Sequence, residues 1–78
     1  MTRYIIVFTN DLLNMSVTES FYVRDDETYD ETERRLYEMC DEITQEYCED
    51  DEEFDECAGA TTYEIIGHEY LNEWKRGI

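Results

Sequence analysis

"TYDETERRLYEMCDEITQEYCE", residues 28–49, decides the fold, because one segment carries both an apolar period and a dense negative charge. Tyr29, Leu36, Cys40, Ile43, Tyr47 and Phe54 recur at spacings of seven, four, three, four and seven. At about 100° per residue these six fall in one narrow stripe, the pattern of an amphipathic helix. Thr28 followed by Glu31 fits a capping box, and Asp25, Asp26 and Glu27 lie where the helix dipole favours anions. The helix is therefore expected from about residue 28 to at least residue 49. Nothing stops it before the small residues Ala58, Gly59 and Ala60, although the crowded acids after Glu49 are a place for fraying or a kink.

Upstream, "RYIIVFT" (3–9) is β-branched and aromatic and has the length of a strand. "NDLLNMS" (10–16) has turn formers at both ends and reads as a loop whose Leu12, Leu13 and Met15 fold back onto the core. "VTESFYVR" (17–24) alternates, with Val17, Glu19, Phe21 and Val23 on one side and Thr18, Ser20, Tyr22 and Arg24 on the other. That is a half-buried strand, paired antiparallel with the first. Downstream, "TTYEIIG" (61–67) reads as a third strand, and "HEYLNEWKR" (68–76) as either a short last helix, the preferred reading, or a fourth strand. The chain is too short for two domains, so residues 1–78 form a single α+β domain. Its small antiparallel sheet, in ββαβ order, packs against one long acidic helix.

Hydrophobic residues make up 41% of the chain and eleven residues are aromatic, which excludes a disordered acidic tail. The net charge of −16 is unevenly spread. Residues 25–56 hold seventeen acids against Arg34 and Arg35, a net −15, and the rest of the chain is nearly neutral. Such a balance argues against direct binding to nucleic acid or an anionic membrane, both of which would be repelled, and points to a cationic partner. "MTRYIIVF" lacks the apolar core of a signal peptide, and the longest apolar run, residues 4–8, is too short to span a bilayer. A cytoplasmic protein, monomer or dimer, is expected. Cys40, Cys48 and Cys57, spaced by eight and nine, form neither a disulfide framework nor a C-x-x-C metal pattern and are expected as reduced thiols.

On a helical wheel the side opposite the apolar stripe carries Glu31, Glu38, Asp41, Glu42, Gln45, Glu49 and Glu52. Arg34 lies at helical spacing from Asp30 and Glu38, and Arg35 from Glu31, so neither arginine neutralises the face at a distance. Continued as a helix, residues 25–56 would span about 48 Å. One net charge per roughly 3.2 Å then approaches the ~3.4 Å spacing along a DNA strand. Solubility alone asks for a net charge of magnitude about 2–8.

Other chemistry is not indicated. The carboxylates are many and clustered rather than paired in a pocket, one His is present, and no nucleophile elbow or phosphate-binding Gly loop occurs, so no enzyme is expected. "EDDEEFDE" (49–56) lacks the turn Gly of an EF-hand, and no cofactor or dedicated metal site is expected. Phe54, alone among seven acids, is either the last rung of the stripe or an aromatic anchor for a partner pocket, a role Tyr37 and Tyr22 could share.

With its blocks "RDDETYDETERR" and "YCEDDEEFDEC", no Pro and no catalytic signature, the chain resembles the small acidic phage-encoded counter-defence proteins that imitate DNA, the anti-CRISPR type above all. The resemblance is one of size, charge and layout and covers residues 25–56. It implies an inhibitor, present in the cytoplasm of an infected bacterial cell, that occupies the Lys/Arg-rich DNA-binding surface of a CRISPR–Cas effector. The contact surface would comprise Glu31, Glu38, Asp41, Glu42, Glu49, Asp50, Asp51, Glu52, Glu53, Phe54, Asp55 and Glu56. The alternative is an inhibitor or immunity-type protein that binds a basic nuclease, restriction enzyme, DNA glycosylase or polymerase without imitating DNA.

Overall fold

The computed structural model describes residues 1–71. In chain order these form β1 (Thr2–Asn10), a 3-10 turn (Asp11–Leu13), β2 (Met15–Val23), α1 (Tyr29–Tyr47), α2 (Asp51–Cys57), a second 3-10 turn (Ala58–Ala60) and β3 (Thr62–Tyr70). The class is α+β, as expected, with a three-stranded antiparallel sheet ordered β2-β1-β3. The element order is β-β-α-α-β rather than ββαβ.

Strand alternation places the core. Ile6 and Phe8 of β1 and Met15 and Phe21 of β2 meet Leu36, Cys40 and Ile43 of α1 in one buried cluster, with Tyr4, Leu13, Val17, Val23 and Met39 packed around it. The other side of β2 carries Ser16, Thr18, Ser20 and Tyr22, all exposed, matching the alternation read from the sequence. Of the loop residues, Met15 is buried and Leu13 packs on the core. Leu12, expected to fold back, is 66% exposed, because the Asn10 side chain caps the 3-10 turn and sets its direction.

Two expected rungs of the stripe are also corrected. Tyr29 is 78% exposed and Tyr47 is exposed as well. The buried residues of α1 meet residues of β1 and β2, whereas every residue of β3 is exposed except the partly buried Gly67. Tyr29 therefore stands on the β3 side of the core cluster and stays open. The preferred helix over 68–76 is also overturned in part: residues 68–70 continue β3, paired with β1 past a bulge near Ile65, and Tyr70 lies opposite Thr2. The remainder of that expectation, residues 72–76, lies outside the described residues.

The single long helix is corrected too. Cys48 is extended, with φ −95° and ψ 144°, and so is Asp50, with φ −151° and ψ 175°. A second helix then starts at Asp51. In one continuous helix the acids of residues 49–56 would lie at the C-terminal end, where the dipole is negative. Restarting places Asp50, Asp51, Glu52 and Glu53 at a helix N-terminus, where it is positive. The restart is capped from both sides: the Asp50 carboxylate accepts from the Glu53 amide at 2.8 Å, and the Glu53 carboxylate accepts from the amide of Glu49, just before the cap, at 3.0 Å.

Candidate functional site: an acidic surface and an aromatic groove

The twelve residues expected at the contact surface are divided by the break. Glu31, Glu38, Asp41 and Glu42 lie on α1, Glu49 and Asp50 in the connection, and Asp51, Glu52, Glu53, Phe54, Asp55 and Glu56 on α2. All are exposed except Glu31, Glu53 and Phe54, which are half-buried. The 48 Å rod is replaced by α1, roughly 28 Å long for its 19 residues, followed by the short α2.

Ion pairing separates these residues further. Glu31 is engaged by its own cap, where Thr28 Oγ1 donates to its carboxylate and accepts from its amide, both at 3.2 Å. Arg24 stands 3.9 Å from the same carboxylate and 3.2 Å from Asp26. Arg34 lies 4.0 Å from Glu38. Arg35 turns away from Glu31, its expected partner, and donates to both oxygens of Glu27 at 2.6 Å. It also donates to the Tyr22 carbonyl at 2.9 Å, and its guanidinium sits 4.5 Å over the Phe21 ring. The Glu27 side chain is only 1% exposed. Burial raises its pKa, but hydrogen bonds from Arg35, the Thr32 hydroxyl and the Arg24 amide outweigh this and hold it below the ordinary value.

The three arginines beside the acidic segment are thus committed to carboxylates between residues 26 and 38. From residue 41 to residue 56 the chain has ten acids and no basic residue. Among the described residues, none of those ten lies within salt-bridge distance of an Arg or Lys. The uncompensated charge is concentrated on the second half of α1, the connection and α2. Glu46, exposed on α1 one turn after Glu42, belongs to this run and was missed, although its i+4 spacing from Glu42 signals it.

A buried polar network anchors the end of α2 to the sheet. Asn10 Nδ2 donates to the Cys57 carbonyl and to Thr61 Oγ1, both at 2.8 Å. Thr44 Oγ1 donates to the Cys40 carbonyl and lies 2.6 Å from Thr61 Oγ1. With the Thr44 hydrogen so used, Thr61 is the donor between the two hydroxyls. The three thiols are free, and burial first, then neighbouring acids, raises each above its ordinary pKa.

A second feature was not read from the sequence. Between α1 and β3 lies a groove of about 360 Å³, with Tyr4, Tyr29, Glu33, Leu36, Tyr63 and Ile65 among its lining residues. The buried core cluster draws, among the described residues, on β1, β2 and α1 and includes no residue of β3. Among the described residues, no helix is long and apolar enough to cross a membrane. Compared with protein families, curated proteins and solved structures, the chain matches none of them.

Proposed function

We propose that this chain is an inhibitor that imitates DNA, its acidic surface occupying the Lys/Arg-rich site with which an RNA-guided CRISPR–Cas effector binds target duplex. The observation that supports the reading is the run of ten carboxylates over residues 41–56 with no arginine or lysine among them. A surface of that kind attracts cationic clefts from a distance and excludes nucleic acid from them. Asp41, Glu42, Glu49 and the acids of α2 carry the interaction, while Glu31 and Glu38, already facing arginines, contribute less.

The test is competition. Effector captured on the immobilised chain should be released by duplex DNA or heparin, and its retention should fall steeply between low and moderate salt. Retention indifferent to both would sink the reading and favour the second one, an inhibitor of a basic nuclease or polymerase held by aromatic contacts. The half-buried Phe54 on α2 and the groove beside β3 are the features that favour this second reading.

A further inference from the structure

The groove between α1 and β3 has the composition of a cation site. Tyr29, Glu33 and Tyr37 follow one another at i, i+4 and i+8, so they form one ridge of α1, beside the buried Leu36. Tyr63 stands on β3 across the groove, its ring 6.4 Å from that of Phe8 in the core, which fixes its position. Tyr29 and Tyr37 are strongly exposed and Tyr63 borderline, so their faces are available. No Arg or Lys among the described residues lies within salt-bridge distance of Glu33, since Arg34 and Arg35 are committed elsewhere. The Glu33 carboxylate beside the Tyr29 hydroxyl raises that phenol's pKa. Burial, then Tyr37 and Glu33, raise that of Tyr63.

We infer that this groove is a receptor for an arginine side chain of the partner protein, its guanidinium between Tyr29 and Tyr63 and against Glu33, its aliphatic stem on Ile65 and Leu36. Aromatic faces attract cations, and a planar guanidinium both stacks on rings and pairs with a carboxylate. Charge also selects the occupant: a second copy of this chain would bring another Glu33 and another net −16 to the same place. The inference deepens the reading given under Proposed function, because the arginine would come from the same basic surface. It adds the specificity that a diffuse anionic field lacks.

The experiment uses the full chain and a named probe, N-acetyl-arginine amide, with N-acetyl-citrulline amide as its neutral isostere. Tyrosine ring protons are followed by NMR during titration. Saturable shifts of Tyr29 and Tyr63 are expected with the arginine derivative and none with citrulline. Glu33→Gln or Tyr63→Ala should weaken binding by about tenfold. No saturable shift, equal shifts with citrulline, or shifts that persist unchanged in both variants would overturn the site. Shifts that depend on protein concentration without any probe would assign the groove to a second copy and overturn it equally. Because no effector or DNA is present, failure here is separate from failure of the DNA competition.

Discussion

The side-chain amide of Asn10, at the end of β1, donates to the carbonyl of Cys57, at the end of α2, at 2.8 Å across 47 positions of sequence. The same side chain accepts from the amides of Leu12 and Leu13 and donates to Thr61, and it is 1% exposed. One residue thus shapes the turn between β1 and β2 and fastens the acidic α2 to the sheet. Asn10→Ala leaves several buried polar groups without partners, and a loss of about 3 kcal/mol is expected in urea unfolding. Asn10→Asp should be at least as damaging, because it sets an acceptor against the Cys57 carbonyl. A change under about 0.5 kcal/mol for either would mean the network is not structural.

The break after Cys48 depends on Asp50. Asp50→Ala removes the cap of α2 and should cost about 1 kcal/mol, with faster amide exchange confined to residues 51–57. Asp50→Asn keeps an acceptor and removes one charge, so it should retain most of that protection. Equal exchange in both variants would show that the cap does not hold the helix.

Charge and position are separable. If the chain imitates DNA as proposed, replacing Asp51, Glu52, Asp55 and Glu56 together by their amides should weaken its binding to the cationic partner by roughly thirtyfold, at about 0.5 kcal/mol each, and flatten its salt dependence. The pair Glu31→Gln and Glu38→Gln should do markedly less, since each of those carboxylates already faces an arginine. An equal effect of the two sets would return the weight to the whole face.

Glu27 sets an acid limit. Its folded pKa is held below the ordinary value of 4.5, so its contribution to stability is complete above pH 4.5. It is lost as pH falls through the lower, folded value. The wild-type advantage over Glu27→Gln should be about 2 kcal/mol at pH 7 and shrink steadily below pH 4.5. A difference that grows on acidification, measured by urea unfolding from pH 3 to 7, would contradict this assignment.

Much of the molecule is legible in its residues taken locally. Alternation over 17–24 gives β2 and its solvent side, the spacing of Leu36, Cys40 and Ile43 gives the buried stripe of α1, and Thr28 with Glu31 gives its start. The restart at Asp50 is also a local signal, the same spacing to Glu53, but the apolar series running on to Phe54 overrides it on paper. In the fold, the unfavourable end of the dipole decides against one continuous helix.

The sequence by itself determined where the charge lies, which residues alternate into the core, and that α1 is amphipathic, because these follow from composition and period alone. Only the tertiary structure decided which carboxylates lie without an Arg or Lys partner among the described residues. Arg35 reaches Glu27 rather than Glu31 because the sheet beneath α1 offers Phe21 and the Tyr22 carbonyl to its guanidinium. It also decided that Tyr29 stands open opposite Tyr63, since the third strand pairs at the side of β1 away from β2 and leaves a gap that no periodicity records.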